Sequence, residues 1–308
     1  MGNNHNWFIT ADTWRRLNAA QHHPPHHKLF GHTPAANSSM SPAKTVPTLD
    51  EVSVEHRGSI SIIRLTRPKK RNAISDGVIA ALAQRFEELP ASTRAVVLDG
   101  EGEHFCAGLD LSSLKEMDAV DGVHHSRSWH KVFTAMEFGR VPIVAALHGA
   151  VVGGGLELAT TCHIRVADDS TFFALPEGSR GIFVGGGGSV RITKLVGAQT
   201  VMDMMMTGRV YKAAEGVAKG FAQYHVPKGE ALAKAIELAE RVAQNAPMTN
   251  YALMHALPRI AEQTADHGFL MEALMSSVVQ SAPEAKARVR AFLDGSGPKV
   301  RPDGIKTA

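Results

Sequence analysis

The sequence has 308 residues, of which 44% are hydrophobic and 20% are charged, and its formal net charge is +3. This composition supplies enough apolar material for a sizeable core in one or two domains. The small charge excess neither requires nor excludes an anionic partner. No apolar run approaches the roughly 18–20 residues that a membrane-spanning helix needs. The two cysteines, Cys106 and Cys162, are too few for a disulfide framework, so we expect a soluble cytoplasmic protein.

The first 44 residues differ from the rest of the chain. The stretch QHHPPHHKLFGH and the residues after it are rich in His, Pro, Asn and Ser and show no hydrophobic period. A histidine-rich run can bind metal, but this composition is more typical of a disordered leader or an artificial extension. We therefore leave residues 1–44 out of the predicted fold and predict no metal site.

From Glu51 onward the pattern becomes periodic and predicts an α/β region over residues 45–227. EVSVEHRGSISIIRLTR alternates apolar and polar residues on both sides of Arg57-Gly58-Ser59, which predicts a β-hairpin. SDGVIAALAQRFEELP predicts a helix with Ser75 as its N-cap. The short apolar runs AVVLDG, PIVAALHG, HIRVAD and TFFAL predict further strands. Residues 228–308 are predicted to be almost entirely helical, and the stretch NYALMHALPRIAEQT within them is predicted to be one helix.

The stretch GAVVGGGLEL, residues 149–158, contains three glycines that are predicted to follow the strand PIVAALHG directly and to open a helix. A helix start offers free N–H groups and the positive end of the helix dipole. Without Cβ atoms, a ligand oxygen can approach these donors closely. The spacing fits neither a dinucleotide fingerprint nor a P-loop, nor a nucleophile elbow. Two interpretations of the glycines remain: an oxyanion hole for an acyl group, and a tight packing contact between strand and helix.

A second glycine-containing turn lies in EGEHFCAGLDL, residues 101–111, and also follows a predicted strand. Two such turns can each direct one backbone N–H at the same oxygen atom. A donor pair of this kind suits a thioester carbonyl that becomes an enolate. The second turn therefore favours the oxyanion hole.

Three stretches in order, RPKKRNAIS, HFCAGLDL and GAVVGGGLELA, resemble the crotonase (enoyl-CoA hydratase/isomerase) superfamily. The resemblance extends from about Val52 to the C-terminus. It implies an α/β fold with a crotonase-like ββα superhelical (spiral) core over residues 45–227 and a helical trimerisation region over residues 228–308. It also implies an acyl-CoA thioester substrate and a homotrimer or homohexamer. No permanently bound cofactor is expected, because the substrate carries the coenzyme A. No nucleic-acid or membrane partner is expected.

Two glutamates decide which reaction the resemblance implies. Taken alone, Glu157 could be an ordinary first-turn helix residue, and Glu177 could lie in an ordinary surface turn. Hydratases of this superfamily carry their catalytic glutamates at these two motif positions, whereas its isomerases commonly lack one. The resemblance implies Glu157 as the base that activates water and Glu177 as the acid that protonates the α-carbon. It further implies an oxyanion hole from the backbone N–H groups of Leu109 and Gly154.

The run RPKKRNAIS has four basic residues within the five from Arg67 to Arg71. It could be a solvated loop or a nucleic-acid patch, although no aromatic residue lies within it to stack on a base. The resemblance implies instead that it binds coenzyme A, through Lys69, Arg71 and the backbone of Ala73. Coenzyme A contacts are also implied for four residues of the neighbouring turn: Ala107, Leu109, Asp110 and Leu111.

Within the superfamily, HFCAGLDLSS, HSRSWHKVF, FGRVPIVA and ALPEGSRGIFVGGGGSVRI are similar to the methylthioacryloyl-CoA hydratases. This similarity implies a short, sulfur-bearing acyl group. The glycine-containing residues 181–188 are then either a flexible segment that leaves room at the acyl end or a turn before a helix. Four residues of a predicted helix either line the acyl pocket or belong to an amphipathic surface: His124, His125, Trp129 and His130.

Three alternatives stand beside this interpretation. The enzymatic ones are a general short-chain enoyl-CoA hydratase and an enoyl-CoA isomerase, the latter disfavoured by the presence of both glutamates. The alternative from another class is a non-catalytic crotonase-fold protein that binds RNA through RPKKR. A member that had lost its chemistry should lack a glutamate or the glycine turn, and both are present here.

Overall fold

The structure is a computed structural model that describes residues 49–113, 117–301 and 304–306. The histidine-rich residues 1–44, predicted as a leader, lie outside the described residues. The described chain belongs to one compact unit. The boundary predicted between residues 227 and 228 therefore falls inside that unit.

Most strands of the described chain belong to one largely parallel sheet. The strands are β1 (Val52–Arg57), β2 (Ile60–Leu65), β3 (Ala95–Gly100), β4 (Ile143–Leu147), β5 (Ala150–Val152), β6 (Ile164–Asp168), β7 (Phe172–Ala174), β8 (Val210–Lys212), β9 (Tyr224–Val226), β10 (Lys299–Arg301) and β11 (Gly304–Lys306). The main sheet has the order β1-β2-β3-β4-β6-β9. Its first pair is antiparallel and each following pair is parallel.

Helices cover the sheet and form the C-terminal part of the described chain. They are α1 (Asp76–Glu87), α2 (Ala119–Glu137), α3 (Gly154–Ala159), α4 (Gly188–Val196), α5 (Ala198–Thr207), α6 (Ala213–Lys219), α7 (Ala231–Ala243), α8 (Pro247–His255), α9 (Leu257–Ile260), α10 (Ala265–Ser281) and α11 (Pro283–Leu293). The crossovers from β2 to β3 and from β3 to β4 contain α1 and α2, respectively. The antiparallel pair at the start of the sheet followed by α1 forms a ββα unit.

The hairpin and the first helix are confirmed. Arg57 pairs with Ile60 across the turn, and Gly58 occupies a left-handed conformation with φ +57°, which glycine adopts without a Cβ penalty. The Ser75 hydroxyl accepts a hydrogen bond of 3.2 Å from the Val78 N–H and caps α1. Local turn and capping chemistry thus sets both elements.

A short strand separates the predicted strand PIVAALHG from the glycine-started helix, so the prediction that the helix follows that strand directly is wrong. β4 ends at Leu147, and β5 then pairs with β7 in a second, three-stranded sheet completed by β8. The chain turns at Gly149, where φ is +54° and a Cβ would collide with the Glu103 carbonyl. The helix α3 therefore follows β5, at the edge of a different sheet.

Both faces of the main sheet are covered. Residues of β3 and β4 are buried throughout, which explains their continuous apolar sequence. One face packs into the main core with α1 and α2. The other face packs against α7, whose apolar stripe includes Ala231, Ala235, Leu238 and Ala239. This stripe has the i, i+4, i+7, i+8 spacing of an amphipathic helix.

The C-terminal part is helical, with two differences from the prediction. The stretch NYALMHALPRIAEQT was expected to be one helix, but α8 ends at His255 and α9 begins at Leu257. Pro258 explains the break because it cannot donate an intrahelical hydrogen bond. A small antiparallel hairpin, β10–β11, follows α11. Within the described residues, none of the helices has the length and apolar character to span a membrane.

Candidate active site

The two glutamates singled out in the sequence face the same small pocket. Glu157 lies on α3, which begins after Gly153, and Glu177 lies between β7 and a short 3-10 turn, Gly178–Arg180. Both side chains are buried, with exposed fractions of 4% and 6%. Both line a pocket of about 220 Å³. The fold therefore brings two buried carboxylates together in one pocket.

The glycine-containing residues 181–188 form a cradle for Glu157. The backbone N–H groups of Gly186 and Gly188 donate hydrogen bonds of 2.8 and 2.7 Å to Oε1 of Glu157. A Cβ on Gly188 would lie 2.9 Å from Cγ of Glu157, so close approach requires glycine there. Gly187, with φ +103°, caps α4. The segment is thus a turn before a helix, and its N–H groups face a carboxylate.

Arg191, on the first turns of α4, braces this cradle. Its Nε donates 2.7 Å to Oε2 of Glu137 at the end of α2, and its guanidinium also donates 3.3 Å to the Gly186 carbonyl. The side chain is 12% exposed. Sequence reasoning missed Arg191, and its one signal was a basic residue three positions after the glycine run.

The pKa of Glu157 is raised above its ordinary value because burial disfavours the charged form. The two backbone N–H bonds and the positive charge of Arg191 oppose that effect and favour the carboxylate. Glu157 is therefore a desolvated carboxylate with three specific stabilising contributions.

The environment of Glu177 is different. Burial raises its pKa, and the nearby charge of Glu157 raises it further. Its Oε2 is buried without a hydrogen-bond partner among the described residues. Oε1 would lie 2.6 Å from a Cβ on Gly153, whose φ is +52°. Its own backbone N–H and the positive charge of Arg180 oppose these effects, and the pKa of Glu177 is raised above its ordinary value, as that of Glu157 is.

Two backbone N–H groups lie beside the carboxylates. Leu109 pairs with Ile74 in a parallel bridge that uses the Gly108 carbonyl and the Asp110 N–H, so the N–H of Leu109 itself points away from Ile74. Gly154 is the first residue of α3, where the helix leaves the N–H free. Within the described chain neither N–H donates a backbone hydrogen bond.

The glycine turns bring these two donors together. A Cβ on Gly154 would lie 3.4 Å from the Leu109 nitrogen, so the two N–H groups are neighbours. Both residues line the same pocket as the two glutamates. The structure therefore places the four residues predicted for the reaction in one site.

Apolar and aromatic side chains form the remaining wall. Trp129 is 4% exposed and lies against Gly154, with its ring 3.5 Å from a Cβ built there. Leu111, Met117 and Phe183 line the pocket and are partly exposed. His125 lines it as well. Of the four helix residues considered for the pocket, His125 and Trp129 line it, whereas His124 and His130 do not.

The basic loop is built around an asparagine that the sequence analysis did not single out. Asn72 is 1% exposed; its amide donates 2.9 and 2.7 Å to the carbonyls of Glu101 and His104. Arg67 pairs with Glu51 and Asp110 and donates to the Ala73 carbonyl. Arg67 therefore holds the loop in place.

The other basic side chains of the loop, Lys69, Lys70 and Arg71, are exposed. Lys69 and Arg71 thus present positive charge to solvent next to the site. The Ala73 N–H already donates 3.0 Å to the Lys70 carbonyl. Only the Ala73 carbonyl, which has two lone pairs, keeps the capacity for a further ligand contact.

The turn residues predicted to contact coenzyme A have distinct surroundings. Asp110 is 6% exposed; the Ser112 hydroxyl and the Arg67 guanidinium hold the pKa of its carboxyl below the usual range. Its carboxylate therefore accepts hydrogen bonds from neighbouring protein groups, Arg67 and Ser112. The Ala107 N–H donates 3.0 Å to the Arg71 carbonyl. Leu111 is 45% exposed at the pocket mouth.

Comparisons with known proteins identify the family to which this chain belongs. The sequence profile of the family described as enoyl-CoA hydratase/isomerase matches residues 55–300. A short-chain-enoyl-CoA hydratase from Clostridium acetobutylicum is 30% identical over 249 residues, covering 80% of this chain and 95% of the relative. The chain belongs to the enoyl-CoA hydratase/isomerase family.

Solved structures give the same fold. A crystal structure of a "putative enoyl-CoA hydratase" from Rhodopseudomonas palustris is 56% identical, with a TM-score of 0.80, and the match covers 82% of this chain and 98% of that one. An enoyl-CoA hydratase from Thermoplasma volcanium is 30% identical, with a TM-score of 0.74, over 79% and 97% of the two chains. The α/β arrangement with a helical C-terminal region is the crotonase fold, and the chain is an enzyme of that fold.

Proposed function

We propose that this enzyme is an enoyl-CoA hydratase, which adds water across the C=C bond of an α,β-unsaturated acyl-CoA. The observation that carries the proposal is the convergence of two buried carboxylates and two free backbone N–H groups on one small pocket. Hydration needs a base for the water, an acid for the α-carbon and donors for the thioester oxygen. The site offers each of these, and the chemistry needs no cofactor beyond the coenzyme A of the substrate.

Glu157 is the base in this proposal and Glu177 the acid. Two backbone N–H groups and Arg191 favour the carboxylate form of Glu157. Glu177 has an unpartnered Oε2 and faces the charge of Glu157, which favours its protonated form. The two carboxyl groups thus differ in their hydrogen-bond partners and neighbouring charges, which is how one site can supply both an acid and a base.

Leu109 and Gly154 form the proposed oxyanion hole. As water adds at the β-carbon, negative charge moves onto the thioester oxygen, where both N–H groups can donate. Such donors are typically worth about 10²–10³ in rate each. Glu177 then delivers a proton to the α-carbon and the carbonyl re-forms.

The exposed basic residues Lys69 and Arg71 are proposed to bind the phosphates of coenzyme A, and the Ala73 carbonyl is proposed to accept from its adenine. The support is their exposure beside the site and the engagement of Arg67 and Asp110 with each other.

At the level of the acyl group, we propose methylthioacryloyl-CoA as the substrate. Water adds at the carbon that bears sulfur, methanethiol leaves, and a second water hydrolyses the thioester to release coenzyme A. The malonic semialdehyde then decarboxylates to acetaldehyde. Support comes from the sequence similarity described above and from a pocket of about 220 Å³, smaller than the roughly 300–1,000 Å³ typical of ligand pockets.

The test is to mix purified enzyme with crotonyl-CoA and, separately, with methylthioacryloyl-CoA. Loss of enoyl absorbance and release of free thiol are followed together. Absorbance loss with both substrates, and thiol release only with the second, is the expected result. Turnover of crotonyl-CoA alone would contradict the methylthioacryloyl-CoA proposal and indicate a general short-chain enoyl-CoA hydratase. No turnover of either would contradict the proposed function.

A homotrimer, or a hexamer of two trimers, is the proposed assembly. Its support is the apolar surface of α10, where Phe269, Leu270, Leu274 and Val278 are 69%, 61%, 61% and 48% exposed. A row of this kind on one helix is typical of an interface. Light scattering on Leu270→Asp should give a smaller species than wild type, and an unchanged mass would contradict this use of α10.

A further inference from the structure

An apolar groove of about 690 Å³ runs between α1 and α2. Its floor is formed by side chains of both helices, among them Ile79, Ala80, Ala83, Phe86, Val132 and Met136. No residue of the proposed reaction lines it. The groove is about three times as large as the pocket that holds the glutamates.

The groove and the pocket meet at one residue. Among the described residues, His125 is the one that lines both the 690 Å³ groove and the 220 Å³ pocket. It lies on α2, one turn before Trp129, which lines the pocket. The imidazole of His125 therefore stands between the space beside the glutamates and the apolar space beyond.

Two contacts fix the imidazole in that position. Nε2 of His125 lies 2.8 Å from Oδ1 of Asp76, the first residue of α1. The ring also packs against Trp129, with centroids 5.7 Å apart. The Trp129 Nε1–H donates 3.3 Å to the same Asp76 oxygen. Asp76 thus ties the imidazole and the indole together across the two helices.

We propose that His125 is the end wall of the acyl pocket and limits the length of acyl chain that the enzyme accepts. This inference rests on the proposed function, since it assigns the acyl group to the pocket beside Glu157 and Glu177. Removal of the imidazole joins the pocket to the groove, and the apolar tail of a longer enoyl-CoA then lies between α1 and α2. His125 acts on specificity and takes no part in proton transfer.

The chemistry of the groove suits a hydrocarbon tail. Most of its lining residues are apolar, and the charged side chains of Asp76, Glu87 and Lys131 in the lining are exposed. The guanidinium of Arg140 is engaged: it donates 2.8 Å to the Pro90 carbonyl and 3.1 Å to the Thr93 carbonyl. An acyl tail in the groove would bury apolar surface without displacing a buried charge. One methylene in an apolar pocket changes kcat/KM by about 10–200-fold.

The experiment compares kcat/KM for crotonyl-CoA and trans-2-decenoyl-CoA in wild type, His125→Ala and His124→Ala. His124 is an exposed neighbour on α2 that lines neither cavity and serves as the matched control. His125→Ala should raise the decenoyl-to-crotonyl ratio by about tenfold or more. His124→Ala should leave the ratio at the wild-type value. An unchanged ratio in His125→Ala would overturn the proposal.

A second variant tests the route of the tail. Ala80→Phe, placed in the His125→Ala background, fills the groove one turn along α1 from Asp76. It should remove the gain on decenoyl-CoA and keep crotonyl-CoA turnover; a gain that persists would mean that the tail lies elsewhere. If His125→Ala does not fold, His125→Val replaces it in the experiment. This variant keeps more packing on Trp129 and should still raise the decenoyl-to-crotonyl ratio, by a smaller factor. A wild type inactive on every enoyl-CoA would instead defeat the proposed function.

Discussion

The backbone N–H of Gly188 donates a 2.7 Å hydrogen bond to Oε1 of Glu157. These two residues are 31 positions apart in sequence, and the bond joins the start of α4 to the helix that carries the proposed base. The Gly186 N–H reinforces it at 2.8 Å. The glycine run is therefore part of the catalytic geometry that we propose.

Gly188→Ala should reduce kcat strongly without unfolding the chain. The new Cβ would lie 2.9 Å from both Cγ and Oε1 of Glu157, so the carboxylate must move. A displacement of about 1 Å at a reacting group can cost roughly 10²-fold in rate. Steady-state kinetics on crotonyl-CoA measures this, with Ser189→Ala, the exposed next residue, as the control. Equal kcat in both variants would show that the cradle is unimportant.

Arg191→Gln should move the acidic limb of the pH profile of kcat/KM to higher pH. The charge of Arg191 lowers the pKa of Glu157, and the base works only when ionised, so loss of that charge delays its ionisation. The matched control is Lys194→Gln on the same helix, whose ammonium pairs with Glu262 at the surface. A limb that shifts equally in both variants, or in neither, would contradict this role.

Glu177→Gln should stabilise the folded chain increasingly as pH rises. Burial and the charge of Glu157 raise the pKa of Glu177 in the folded state. Wild type therefore loses stability as pH rises from the ordinary glutamate pKa through that raised value, and the glutamine variant does not.

Urea unfolding of the two proteins at about pH 5 and about pH 8 measures this difference. It should be small at the acidic end and larger at the basic end. A Glu177→Gln variant that is less stable than wild type at both values would show that the carboxyl is not strained by its surroundings.

Both cysteines should be unreactive in the native protein. Cys106 and Cys162 are buried, and burial raises the pKa of each thiol to about 12, so the nucleophilic thiolate is scarce at neutral pH. Ellman's reagent should detect no protein thiol before denaturation and two per chain afterwards. Rapid native reaction would contradict the packing around Cys106 and Cys162, and would also add background to the thiol-release assay.

Sequence reasoning reached the elements that local chemistry determines. The hairpin at Gly58 and the cap at Ser75 follow from turn and capping residues, and the buried strands β3 and β4 follow from continuous apolar runs. The short strand β5 was missed because three residues carry no periodic signal. Its pairing with β7 is decided by contacts distant in sequence.

The residues of the site could be predicted from the sequence, but the contacts that hold them in position could not. Motif similarity placed Glu157, Glu177, Leu109 and Gly154 together, and the structure does so. Arg191 was missed because its partners, the Glu137 carboxylate and the Gly186 carbonyl, meet it only after α2 and α4 pack.

The central claim is that two carboxylates carry the reaction, and kcat for crotonyl-CoA hydration by Glu157→Gln and Glu177→Gln tests it most directly. Each substitution keeps the size of the side chain and removes its proton-transfer capacity. We predict that each variant loses about 10²–10⁴-fold in kcat while it remains folded and binds coenzyme A as wild type does. Near-wild-type turnover by either variant would contradict the two-carboxylate account.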